Sequence, residues 1–355
     1  MTDRIKEPWG ARTPFGPGEK WPVRVDQFLE EGVSEDDVDR WVQTASILHS
    51  NGDAFDIAIK DGRIVGVRGR NVDRVNKGRV DPKDLFGWQA NNSEDRLKQP
   101  LVRDEKGELV ETSWDEAMGR IVERSKELLE EKGPLALGFY TTGQLFLEEY
   151  YTLGVIGKAG LGTPHMDGNT RLCTATAAEA LKQTFGTDGQ PGSYADVDHA
   201  DTICLYGHNV AETQAVLWMR MLDRLEGPNP PKLVVVDPRL TPPALKADVH
   251  LPIKNGTNLA LMNGLLREII ANDWVDHEYV AAHTVGFEEL KSTVEEYPLE
   301  KVAEICGVEA EKIREAARVI GESERLLSTV LQGFYQSHQA TAASCRSTTF
   351  TSFAA

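Results

Sequence analysis

Two short, continuous apolar runs constrain this chain more than any other feature: TICLYG from Thr202 to Gly207 and KLVVVDP from Lys232 to Pro238. Each is too short for a buried helix and lacks the alternation of a strand with one wet face, so each reads as a parallel strand covered on both sides. Helical stretches separate and follow them. Upstream, Ser113 and Glu116 form a capping box before a helical run from Trp114 to about Glu131, and LALGFY from Leu135 to Tyr140 reads as another buried strand. The fold class is therefore α/β with a doubly wound parallel sheet. Ligands of such sheets sit beyond the carboxyl ends of the strands, which places Gly207 to Thr213 and Asp237 to Thr241 at the crevice.

A small β-rich module precedes this region. FDIAIKDGRIVGVRGR, from Phe55 to Arg70, alternates apolar and polar residues about Asp61-Gly62, the pattern of a hairpin with a tight turn. The Pro-, Gly- and charge-rich residues 1–40 are expected to drape over another part of the molecule or to stay mobile. The expected division is an extension over 1–40, the β-rich module over 41–100, a first α/β domain from 101–150 with 325–345, and a dinucleotide-binding α/β domain over 151–324.

The 355 residues carry 56 Asp and Glu against 39 Lys and Arg, a net charge of -17, so nucleic acid would meet mostly repulsion. Cys173, Cys204, Cys306 and Cys345 are too few and too scattered for a disulfide framework or a C-x-x-C cluster, which fits a reducing compartment. The first residues show neither an apolar signal core nor a twin-arginine pair, and no stretch approaches the roughly 20 apolar residues of a membrane span. A cytoplasmic location is expected.

Three polar turns converge on one edge of the expected sheet. YGHNVAET, Tyr206 to Thr213, follows a buried strand and is expected to offer backbone N–H groups to a phosphate. Asp237 closes the next strand, where a carboxylate can accept from a ribose or a purine, and Arg239 can clamp a phosphate. Lys254-Asn255-Gly256-Thr257-Asn258 again sets small polar residues ahead of a helix. Cys173, in GNTRLCTATAAEAL, stands near a helix start beside Arg171, a setting that suits a nucleophile or a soft metal ligand, although a cysteine among apolar neighbours also serves simply as packing.

NTRLCTATA, the Phe-Gly-x-Asp and Pro-Gly-Ser-Tyr-x-Asp of 185 to 196, and DHADTICLYGHNVAE together resemble the molybdenum-centre region of the periplasmic and assimilatory nitrate reductases, in order and in spacing. The similarity runs from about Trp41 to Gln339 and matches the amino-terminal part of those enzymes, members of the dimethyl sulfoxide reductase superfamily that bind two molybdopterin guanine dinucleotides. The resemblance implies that Cys173 is the protein ligand of molybdenum. It implies that Asn169 and Gln144 contact the pterin, and that Lys83 does so as well. Tyr206, Gly207, Asn209 and Glu212 would belong to the turn that holds a dinucleotide phosphate. Asp237, Arg239, Gly256, Thr257 and Asn258 would lie near the nucleoside, and Gln332 and Gln336 would approach the active site. Thr174 follows Cys173 where formate dehydrogenases of the superfamily typically carry histidine, which favours the nitrate-reductase side.

Two departures qualify the resemblance. Where relatives carry four cysteines for a [4Fe-4S] cluster, this chain has Ser46, His49, Asp53 and Asp81; such clusters need thiolates, so no iron-sulfur cluster is expected. The carboxyl terminus, CRSTTFTSFAA, departs from an expected Asn-rich helix start, which a single inserted base after the Cys345 codon would restore. Residues 346–355 are thus expected to be a frameshifted tail without an evolved role. The implied function is that of a nitrate-reductase-like molybdoenzyme catalysing two-electron oxygen-atom transfer, served by a small anionic substrate and an electron-donor protein. The alternatives are a formate-dehydrogenase-like enzyme or an inactive fragment that binds only a dinucleotide or a partner subunit.

Overall fold

The computed structural model describes residues 3–46 and 52–353. Near the amino terminus, β1 (Gln27–Leu29), β2 (Arg40–Ala45), β3 (Ala54–Lys60) and β4 (Arg63–Gly69) form an antiparallel sheet in the order β1-β4-β3-β2. Its central hairpin turns at Asp61 and Gly62, whose φ values of 50° and 73° are those of the two-residue turn that matches strand twist. Phe55, Val67, Val80, Leu85 and Trp88 close a small core beneath it.

The middle of the chain holds β5 (Leu101–Arg103), β6 (Leu109–Glu111), β7 (Phe139–Thr141) and β8 (Met166–Gly168), with β7 and β8 paired in parallel. Here the expectation of a buried strand over Leu135 to Tyr140 fails: Leu135 and Tyr140 are 64% and 75% exposed, and the strand is reduced to three residues. The helix Trp114–Lys132 does start at the Ser113 cap, but none of its residues is buried. From 101 to 179 only Gly157 and Thr163 are buried, so this α/β segment has no core of its own.

The large core lies in the next unit, where β9 (Thr202–Tyr206), β10 (Lys232–Val236), β11 (Val249–Leu251) and β12 (Leu326–Val330) form a fully parallel sheet in the order β11-β10-β9-β12. Alternate residues of β9 and β10 face opposite sides. Cys204, Tyr206, Val234 and Val236 pack on helices 258–271, 299–306 and 310–321, while Ile203, Leu205, Leu233 and Val235 pack on the helix Ala215–Leu225. β12 corrects the expected domain division. Its segment, expected in the first α/β domain with 101–150, pairs with β9 residue for residue, from Leu326 opposite Thr202 to Val330 opposite Tyr206. The chain thus runs outward from β9 through β10 to β11 and returns to the other side of β9, which makes the crevice between β9 and β12 the topological switch point.

The extension drapes, as one of its two expected behaviours. Trp9 donates from Nε1 to the Ala211 carbonyl at 3.0 Å, and Trp21 donates to Asp223 Oδ2 at 2.7 Å. Arg79 of the β module reaches the same carboxylate at 3.3 Å, both side chains being almost wholly buried, and its guanidinium lies 3.7 Å from the Trp21 ring centre. One buried carboxylate therefore fastens the extension and the β module to the parallel-sheet unit.

The final helix, Ala340–Phe353, packs part of the segment expected to be a frameshifted tail against the parallel-sheet unit. Phe350 is fully buried and stacks on Tyr206 with ring centres 6.2 Å apart, and Arg346 donates to Asn263 Oδ1 at 2.9 Å. A small-residue helix with a phenylalanine at 350 fits the groove that the sheet leaves beside Tyr206.

Candidate functional site

A cleft of about 520 Å³ opens beyond the carboxyl ends of β9, β10 and β12. Gly207, Asn209 and Thr213 line it from the first loop, Asp237 and Arg239 from the second, Gly256 and Asn258 from the third, and Gln332, Gly333 and His338 from the segment after β12. Gly207 adopts a φ of +56°, and a Cβ there would stand 2.5 Å from Gly333 C and Phe334 N; only glycine lets these two backbones touch. Gly333 N donates to the Gly207 carbonyl at 3.2 Å, sealing the floor.

Within that floor Asn209 is 9% exposed, and neither Nδ2 nor Oδ1 of its amide has a hydrogen-bond partner among the described residues. A buried amide left unpaired costs about 1–3 kcal/mol, so a polar ligand in the cleft would complete it. Asp237 is 7% exposed and accepts from the Arg239 amide at 2.8 Å, while the Arg239 side chain is 68% exposed and its ion-pair partner among the described residues is Glu212, at 3.9 Å. Arg239 remains available to an anion. The helix Asn258–Ala271 begins at the cleft without a side-chain cap, because Thr257 donates instead to the Lys254 carbonyl at 2.6 Å; its first-turn N–H groups form a second anion-attracting feature.

Four amides of the turn after β9 are already engaged within the fold. The amides of Gly207, Val210, Glu212 and Thr213 donate to carbonyls of Val236, His208, Asn209 and Asn209 respectively. Tyr206 is also displaced from any ligand, since its ring is fully buried between Phe334 and Phe350. Glu212 points to Arg239 and not into the cleft. His208, which the sequence reading passed over, is fixed beneath the turn with Nδ1 2.7 Å from Thr329 Oγ1 and Nε2 2.7 Å from the Gln214 side-chain oxygen. Burial holds its pKa down at about 4.

Cys173 sits in the second turn of the helix Asn169–Phe185, part-exposed. Gln336 Nε2 donates to the Cys173 carbonyl at 2.7 Å and to Sγ at 3.1 Å, and the Thr176 hydroxyl donates to the Tyr335 carbonyl. Arg171 pairs instead with Asp167 of β8, at 2.7 Å. Asn169 accepts from the Gly143 amide at 3.1 Å, which brings the Gln144 turn to the head of the cysteine helix. A second hollow of about 600 Å³, lined by Gly143, Thr170, Arg171 and Thr174, lies against that helix. Lys83 is exposed on the helix Pro82–Gly87 and lines neither hollow.

At the place of the missing cysteines, oxygen donors replace sulfur. Asp53, Asp81 and Asp84 are buried with carboxylate oxygens within 4.8 Å of one another, and Ser46 donates to Asp84 at 2.9 Å. Burial, with Asp84 and Asp81 alongside, pushes the Asp53 carboxyl well above the usual range. Asp81 also caps the helix that follows, accepting from Asp84 N at 3.0 Å. Such a set does not suit iron-sulfur ligation. Asp84 escaped the sequence reading because it follows an aligned position by three residues, and His49 lies outside the described residues.

The molybdopterin oxidoreductase family model matches residues 96–344, which include both hollows and Cys173. The chain belongs to the molybdopterin oxidoreductase family. It is 35% identical over 299 residues to a nitrate reductase of Symbiobacterium thermophilum and 34% identical over 308 residues to the periplasmic nitrate reductase of Desulfovibrio desulfuricans. It is 32% identical over 274 residues to the F420-dependent formate dehydrogenase subunit alpha of Methanocaldococcus jannaschii. These matches cover 82%, 84% and 77% of the chain but only 40%, 41% and 40% of the relatives, so the chain spans about two fifths of their length. Among solved structures, acetylene hydratase from Pelobacter acetylenicus superposes with a TM-score of 0.74 at 25% identity, over 88% of this chain and 43% of that one. Members of the molybdopterin oxidoreductase family are enzymes, and the α/β architecture of this one agrees with its structural neighbour. No helix among its described residues is long and apolar enough to cross a membrane.

Proposed function

We propose that this molybdopterin oxidoreductase holds the guanine dinucleotide end of the cofactor in the cleft at Gly207, Asp237 and Gly333, and molybdenum at Cys173. The observation that carries the reading is a single piece of chain: the segment after β12 lines the cleft with Gln332, Gly333 and His338 and, through Gln336, grips Cys173. The unpaired Asn209 amide and the soft thiol of Cys173 suit the two ends of such a group. When bound, the cofactor supplies two-electron oxygen-atom transfer. The protein's own residues do the rest. Arg239 and the start of the helix Asn258–Ala271, with Gly256 and Thr257, receive phosphate; Asp237 accepts from the nucleoside; Asn169 and Gln144 flank the pterin; Gln336 orients the sulfur. Gly207 and Asn209 shape the floor, while Tyr206 and Glu212 stand outside the cleft's lining.

Nitrate is the substrate favoured here, because Thr174 follows Cys173 and two of the relatives above are named nitrate reductases. A formate-dehydrogenase-like activity is the second reading, supported by the match to the formate dehydrogenase subunit. A nucleotide- or partner-binding role without turnover is the third, supported by the coreless, exposed segment 101–179. Four free cysteines agree with a reducing, cytoplasmic setting. Calorimetric titration with GDP tests the cleft: binding that Arg239→Ala weakens supports it, and absence of binding contradicts it.

A further inference from the structure

We propose that Trp9, which stands outside the cleft's lining, is a positioning residue that holds the floor of the cleft in place from behind. The inference rests on the cofactor-cleft reading above and goes beyond it, since residues 4–26 lie outside the 96–344 that the family model matches. After β9 the chain enters two helices in succession, Val210–Thr213 and Ala215–Leu225, and leaves helical geometry between them at Gln214, with φ −128° and ψ 70°. A carbonyl at such a break looks outside its helix for a donor. Ala211 is buried, and its carbonyl accepts from the Trp9 indole at 3.0 Å. The Trp9 ring meets the buried Trp218 ring edge-on, with centres 6.3 Å apart, so the donor is held by packing as well. Within the short helix the Glu212 and Thr213 amides donate to the Asn209 carbonyl. Ala211 and Asn209, the latter lining the cleft, therefore move as one piece.

Trp9 is in turn held from the β-rich module. Asp26, just before β1, accepts from the Val80 amide at 3.1 Å and pairs with Arg4 at 3.0 Å and with Arg24 at 2.9 Å. The two guanidiniums donate onward to carbonyls of the extension, Arg4 to Pro8 at 2.8 Å and Arg24 to Trp9 at 3.0 Å. These three charged side chains are no more than 12% exposed, so little water competes for their bonds. Gly10 then turns the chain away at a φ of +71°, a conformation that favours glycine. The line from Asp26 through two arginines and an indole to Ala211 joins the β-rich module to the floor of the cleft. Without the indole donor the buried Ala211 carbonyl is relieved only by shifting toward another partner, and Asn209 shifts with it.

Trp9→Phe keeps a ring against Trp218 and removes the donor. Titration of wild type, Trp9→Phe, Asn209→Leu and the double variant with GDP separates positioning from a general loss of stability. Trp9→Phe should weaken GDP by roughly 3- to 10-fold. In the Asn209→Leu background the same change should cost less than about twofold, because the group that Trp9 positions is gone. Reciprocity supplies a second measurement on the wild-type chain alone: saturating GDP should slow amide hydrogen exchange across residues 4–15, followed by mass spectrometry. Should Trp9→Phe not fold, that exchange decides. Unchanged GDP affinity in Trp9→Phe, an equal loss in both backgrounds, or exchange over residues 4–15 that ignores GDP overturns the proposal while leaving the cleft reading intact. Failure of wild type to bind GDP overturns both.

Discussion

Individual side chains at the cleft are held in states that have no purpose in an empty pocket. Asn209 keeps a buried amide without partners among the described residues, so Asn209→Leu should stabilise the fold by about 1–3 kcal/mol in urea unfolding while weakening GDP binding. Loss of both stability and binding would mark it as merely structural. His208 carries a different signature. Its folded pKa of about 4 lies below the ordinary 6.5, so the unfolded chain takes up a proton that the folded chain refuses. The sign is that of a depressed base: His208 costs nothing above pH 6.5, and stability falls as pH drops through 6.5 toward 4, by about 3 kcal/mol in all. Unfolding midpoints of wild type and His208→Gln between pH 7 and 4 measure this, and only wild type should show that component of the decline.

At the scale of elements, the loop after β9 and the segment after β12 work as one part because two glycines meet. Gly207→Ala adds a methyl 2.5 Å from Gly333 at a positive φ, so it should separate the loop from the segment, remove GDP binding and lower the melting temperature by several degrees. A variant that melts and binds as wild type would contradict this packing. β9 and β10 were readable in the sequence because fully buried parallel strands need uninterrupted apolar runs, and the hairpin at Asp61-Gly62 because its turn demands those residues. The partner of β12 was not readable: LLSTV carries no mark of which sheet it joins, and its pairing with β9 is set by packing between distant parts of the chain. For the same reason the three cleft loops could be named from their turn residues, whereas the inward bonding of four amides after β9 and the burial of Tyr206 could not.

The whole molecule divides into a well-cored unit around β9 to β12 and a segment from 101 to 179 whose apolar residues, Trp114, Met118, Ile121, Leu147, Tyr151 and Leu172 among them, face outward. Amide hydrogen exchange should therefore be fastest across Trp114–Lys132 and Leu147–Gly154 and slowest in β9 and β10, as followed by mass spectrometry. Uniform protection would show that the segment has found a covering surface in solution. The central claim concerns both ends of one cofactor, and it is tested most directly by the content of protein purified from cells that make molybdopterin guanine dinucleotide. The account predicts molybdenum and guanine nucleotide together in wild type, and nucleotide without molybdenum in Cys173→Ala. Wild type free of guanine nucleotide, or a Cys173→Ala variant that keeps its molybdenum, would contradict it.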